Sequence, residues 1–202
     1  MTTLTKKNIE SRLKSILSER IMILDGAMGT MIQQHHLTEK DYRGNQFSKF
    51  SAPDGERELF LKGNNELLSI TKPEIIQDIH EEFLEAGADI IETNTFGANS
   101  IAQDDYYMPH LVNEMNLASV NIAKKAVSNY SSPEKPRFIA GAIGPTPKTA
   151  SISPDVNDPG ARNINFDELV KSYREQTKAL IEGGVDIILV ETVFDTLNCK
   201  AA

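Results

Sequence analysis

Two rhythms of apolar residues alternate along the 202-residue chain. Short unbroken runs fall at 21–24 (IMIL), 88–91 (ADII), 138–143 (FIAGAI) and 185–190 (VDIILV), each bounded by glycine or polar residues. Runs of that length and flank suit strands buried on both faces, as in a parallel sheet. Between them the spacing changes to that of one-sided helices. Ile9, Leu13, Ile16 and Leu17 predict a helix over 6–18. Ile75, Ile76, Ile79 and Phe83 form the next stripe, then Leu111, Met115, Ala118, Ile122 and Ala126 over 109–128, then Leu169, Tyr173, Thr177 and Leu180. The stripes carry start and stop signals. Thr71 with Glu74 reads as a capping box with Pro73 in the first turn, and Asn165 with Glu168 repeats it. Gly87 and Gly183-Gly184 supply the stops.

Three stretches lie outside this alternation. Residues 37–65 hold glycines, prolines, many charges and scattered aromatics, and read as an irregular excursion. Adjacent His35 and His36 precede it and are read as surface residues, since neighbours on a helix cannot face one site. Residues 131–136 form a polar loop. The stretch 146–164, TPKTASISPDVNDPGARNI, is too rich in turn formers for a regular element; a lid and a plain surface loop fit it equally.

The segment 85–91 (EAGADII) echoes 182–188 (EGGVDII), each a helix end, a glycine stop and a strand start. Unbroken strand–helix alternation implies parallel strands joined by right-handed crossovers. Asp25, Glu92, Thr146 and Glu191 each fall at or just beyond the end of a predicted strand, which favours a barrel whose loops meet at one mouth. A closed barrel needs eight such units and ~250 residues, whereas about four are present here. The fold expected is α/β, the N-terminal half of a (βα)8 TIM-type barrel with about four parallel strands, a single partial domain over 1–202 with bare sheet edges.

Composition removes several function classes. The net charge is −8 and no basic cluster interleaves with aromatics, so no nucleic-acid partner is expected. Cys199 is the only cysteine, which excludes an internal disulfide framework and fits a reducing compartment. It is read as a small buried residue. The first 20 residues lack the apolar core of a signal peptide, and no stretch is long enough to span a membrane, so the expected location is cytoplasmic.

Candidate chemistry centres on 21–30, IMILDGAMGT. A carboxylate at the end of a buried strand is held firmly yet open to a ligand, and the glycines after it permit close backbone approach. Asp25 and its turn are suited to a small molecule carrying an amine and an acid; a strand-ending Asp that merely caps the next turn is the competing reading.

LDGAMGTMIQ at 24–33, KGNNELL at 62–68, ETNTFGAN at 92–99, GAIGPT at 141–146, TASISPDVNDP at 149–159 and ETVFDTLN at 191–198 together resemble the homocysteine-binding domain of the cobalamin-dependent methionine synthase family. The resemblance runs along nearly the whole chain and is loosest over 37–60. It implies methyl transfer from methylcobalamin to the sulfur of homocysteine, held as thiolate by zinc. It further implies that Asp25 and Glu191 take the substrate amino group. Backbone N–H groups around Gly26, Ala27 and Gly29 would take its carboxylate, with Asn94, Thr95 and Thr146 assisting at the mouth. The family's zinc site uses three cysteines on later strands, so the zinc ligands, and the modules that bind folate and cobalamin and carry out reactivation, are expected outside this chain. No catalytic or metal-ligating residue is assigned within it. Two alternatives remain: a non-catalytic half-barrel that needs a partner chain, and a different corrinoid- or pterin-linked barrel methyltransferase.

Overall fold

A computed structural model describes residues 6–53, 55 and 58–202. The first five residues of the N-terminal reading, and positions 54, 56 and 57 of the excursion, lie outside the described residues. In chain order the elements are α1 (Lys6–Glu19), α2 (Met28–Gln34), α3 (Glu39–Arg43), α4 (Leu68–Thr71), α5 (Pro73–Ala86), β1 (Ile90–Glu92), α6 (Ser100–Gln103), α7 (Val112–Tyr130), β2 (Phe138–Ile143), α8 (Phe166–Gly183), β3 (Ile187–Val190) and α9 (Thr196–Ala201).

The sheet has three strands, all parallel, in the order β1-β2-β3. The fourth strand expected at 21–25 is reduced to a single parallel bridge, Leu24 to Ile90. Backbone bonds from Asp89 and Ile90 to the Ile23 carbonyl and from Asp25 to the Ile90 carbonyl hold this segment beside β1. Its free side has no neighbour among the described residues: Ile21, Ile23 and Leu24 are 82%, 55% and 41% exposed. A strand paired on one side and uncovered on the other forms a short ladder.

The internal echo has a physical basis. Gly87 and Gly184 close α5 and α8 in the left-handed region, at φ 115° and 87°. Two residues on, Asp89 accepts the Ile23 N–H at 2.9 Å, and Asp186 accepts the Ile139 N–H at 2.9 Å. Each acid thus ties the start of its own strand to the preceding one. Asp89 is also gripped through both oxygens by Arg20 at 2.7 Å.

Helices α5, α7 and α8 pack against the sheet and one another, and all six residues of β2 are buried. The Asn165–Glu168 capping box forms as expected. Thr71 does not cap α5: it ends α4, its hydroxyl bonds the Leu67 carbonyl, and Lys72 occupies the cap position. The excursion over 37–65 is more ordered than its composition suggests. Tyr42, Phe47 and Leu61 join the largest apolar cluster. Arg43 donates to the carbonyls of Phe47, Phe50 and Leu59, while Glu39 accepts the N–H groups of Leu61 and Lys62. Cys199 is exposed on α9, contrary to the buried position expected. His35 and His36 are exposed and Met115 is fully buried.

Candidate active site

A cavity of ≈ 310 Å³ opens where the segment at 25 and strand β1 end, beside the chain leaving β3. Asp25, Glu92 and Glu191 contribute carboxylates to its wall, and Gly26, Ala27, Met28 and Gly29 form one side. Parallel strands place these acids together because all run the same way, so their carboxyl ends share one rim. Asn65, Glu66, Asn94 and Phe96 also line the cavity.

The turn after Asp25 takes its left-handed residue at Ala27 (φ 50°), not at either flanking glycine. A Cβ on Gly26 would meet no atom within 4 Å, so its missing side chain leaves open space at the cavity wall. At Gly144 the requirement is different: an added Cβ would lie 2.7 Å from the Phe96 carbonyl oxygen. Only glycine lets the exit of β2 pass beneath the segment leaving β1.

Electrostatics in the cavity are unusual for three carboxyl groups. Burial pushes Asp25 up to about 8, helped by the charges of Glu92 and Glu191 and opposed by the Glu92 N–H, which donates to Asp25 Oδ1 at 2.9 Å. Glu92 is raised as well, by burial first and then by the charge and hydrogen bond of Glu191. A second acid in hydrogen-bond contact makes ionisation of Glu92 more costly than burial alone would. Glu66 is also raised by burial, against the pull of the Gly97 N–H at 2.8 Å. No cationic side chain is among the lining residues, so none of these acids is paired with a cation from the cavity wall.

Of the residues named from sequence, Asp25, Gly26, Ala27, Gly29, Asn94 and Glu191 line the cavity. Asn94 also ties into the Asn65 backbone of the wall, donating to its carbonyl at 2.8 Å. Thr95 and Thr146 are not among the lining residues. Thr95 is fully buried, with its hydroxyl bonded to Thr93 and the Ala142 carbonyl. Thr146 bonds the Lys148 carbonyl and Asn198. Glu92 was visible in the sequence as a second strand-end acid but left out of the site; Glu66 was missed, although an acid amid the amides and leucines of KGNNELL was the available signal.

Among the described residues no three His, Cys, Asp or Glu side chains form a group fit to hold a metal ion, and Cys199 stands alone on α9. The zinc implied by the resemblance does not fit the residues present.

Fold and site define an α/β domain with a cavity lined by acids at the carboxyl rim of a parallel sheet. The profile of the homocysteine S-methyltransferase family matches residues 22–202, and the chain belongs to that family. Solved structures of the homocysteine methyltransferase MmuM from Escherichia coli share the fold. The oxidized form superposes with a TM-score of 0.69 at 19% identity, covering 94% of this chain and 59% of that one. The metallated form gives 0.67 at 20% identity, over 94% and 60%. The chain therefore spans less than two thirds of the length of these structures. No helix among the described residues is long and apolar enough to cross a membrane.

Proposed function

We propose that this chain is the homocysteine-binding part of a methyl-transfer enzyme of the methionine synthase type, a partial barrel whose remaining strands lie elsewhere in the protein. The observation that carries this reading is the placement of Asp25, Glu92 and Glu191 around one cavity in a member of the homocysteine S-methyltransferase family. The substrate presents an ammonium, a carboxylate and a thiol. Asp25 and Glu191 hold the ammonium, and the N–H groups of the Gly26–Ala27 turn, with Gly29 beside them, receive the carboxylate. Asn94 holds the Asn65 part of the wall in place. In this reading Thr95 and Thr146 support the rim from behind. Fixing both charged groups orients the sulfur, and orientation of this kind contributes several kcal/mol to a reaction between bound partners.

The methyl donor in this reading is methylcobalamin, carried with folate by other modules of a cytoplasmic enzyme. The zinc that activates the thiol takes its ligands from outside these residues. Nothing in this chain substitutes for that metal, so the isolated chain binds homocysteine without methylating it. The uncovered apolar edges at Ile23 and Ile188 favour the companion view that the half-domain needs the rest of its barrel for full affinity. Titration calorimetry with L-homocysteine and, separately, methyltetrahydrofolate tests the assignment. Heat with homocysteine alone is the expected result; heat with the folate alone would assign the cavity to the methyl donor instead.

A further inference from the structure

Two motifs that carried the resemblance, TASISPDVNDP and ETVFDTLN, meet in the structure, and the contact begins four residues beyond the cavity-lining Glu191. Asp195 is 2% exposed and accepts four hydrogen bonds. Its Oδ1 takes the N–H groups of Leu197 and Asn198, at 2.9 and 3.1 Å. Its Oδ2 takes the N–H and the hydroxyl of Ser151, at 3.0 and 2.6 Å. Asn198 is 1% exposed: its Oδ1 accepts the Ala150 N–H at 3.0 Å, and its Nδ2 donates to Thr146 Oγ1 and the Lys148 carbonyl at 3.1 and 2.9 Å. The first turn of α9 is thus latched onto the stretch leaving β2.

The chain between Glu191 and this latch is strained. Thr192 sits at φ 54°, a left-handed conformation that β-branched residues rarely adopt. Such a conformation persists only where its surroundings determine it. Here they do so from both sides. The Glu191 N–H donates to the Ile143 carbonyl at 3.0 Å, and Asp195 is fixed to Ser151. One continuous stretch, residues 143–151, therefore holds both ends of the turn that presents Glu191 to the cavity.

We propose that Asp195 and Asn198 are positioning residues for Glu191: by binding residues 146–151 they fix the turn that aims its carboxylate at the substrate amine. This inference rests on the homocysteine reading above. It gives the long Ser/Pro/Asp-rich stretch a role in recognition at its near end, while its tip, with Val156 97% exposed, stays clear of the latch.

The test compares L-homocysteine with its desamino analogue, 4-mercaptobutanoate, by calorimetry on the native chain, Asp195→Ala and Ser151→Ala. The native chain is expected to prefer homocysteine. Loss of charge-assisted bonds to Asp195 reduces that preference by about tenfold in Asp195→Ala, and by about threefold in Ser151→Ala, which loses one bond and keeps the fold. Tryptic cleavage after Lys148 should accelerate in the same order, showing that the latch has opened. A role confined to stability would lower both affinities together and leave their ratio unchanged. Folded variants that keep the native ratio overturn the inference while leaving the homocysteine reading intact. A native chain that binds neither thiol overturns the reading and the inference together.

Discussion

Strand β2 and the segments that flank the sheet are built from the same kind of residue and live in opposite surroundings. Phe138 to Ile143 is buried at every position, between β1 and β3 and beneath α7 and α8. At one edge Ile21, Ile23 and Leu24 face outward; at the other, burial alternates along β3, with Ile188 and Val190 36% and 39% exposed. The lesson is that an apolar run specifies a strand's capacity for burial, whereas neighbours decide whether that capacity is used. The acids at the rim follow the same rule in reverse. Asp25 and Glu92 are carboxylates placed where burial disfavours their charge, a cost retained at ligand sites because a cationic ligand recovers it.

The contrast can be tested by substitutions graded from centre to edge. Ile143→Ala, in the middle, should lower unfolding stability by about 4 kcal/mol, read from the denaturant midpoint at constant slope. An equally large change for Ile188→Ala would show that β3 is covered in solution. Next comes His80 on α5, fully buried with neither ring nitrogen hydrogen-bonded. Burial lowers it to about 4. Its neutral form is favoured by the fold, so its contribution is complete above an unfolded value of ~6.5 and is lost as pH falls toward 4, about 3 kcal/mol in all. His80→Phe should flatten that part of the stability–pH curve; an unchanged curve would place the acid sensitivity elsewhere.

Asp25→Asn should act in the opposite sense. The acid's value in the folded chain, about 8, lies above its unfolded value, so its penalty is absent at low pH, grows as pH rises and is complete above 8. Allowing for hydration of a half-buried group, the amide should stabilise the chain by roughly 2 kcal/mol at pH 8.5 and by little at pH 4. Thermal unfolding at the two pH values checks this, and a destabilised variant at pH 8.5 would refute it. The smallest change in stability belongs to the edges. Ile23→Thr and Ile188→Thr should alter stability by under ~0.5 kcal/mol, while reducing concentration-dependent self-association in sedimentation runs.

How far the sequence disclosed this arrangement depended on whether the controlling forces were local. Periodicity sufficed for α5, α7, α8 and β2, with glycine stops at α5 and α8 and a capping box at α8, because these are short-range signals; the cap expected at Thr71 was taken up by the end of α4. The excursion at 37–65 was opaque because it is ordered by side chains reaching distant backbone, Arg43 to Leu59 and Glu39 to Leu61. The strand expected at 21–25 was overestimated because pattern alone does not count neighbours. At the site, acids near strand ends were legible since parallel topology brings those ends together. Glu66 was not, because it enters from a single 3-10 turn, Asn65–Leu67, outside the strand–helix alternation. Thr146 and Asn198 pair across 52 positions, a separation that leaves no mark on local composition.

Asp25 completes an acidic grip on the substrate amine in this reading, and the pH dependence of homocysteine affinity tests it most directly. Between pH 6 and 8.5 Asp25 sheds its proton while the substrate stays largely cationic, so native affinity should climb by at least about tenfold, and Asp25→Asn should bind weakly with a much smaller climb, the part owed to Glu92. Equal affinity in the native chain and the variant across that range would contradict the account.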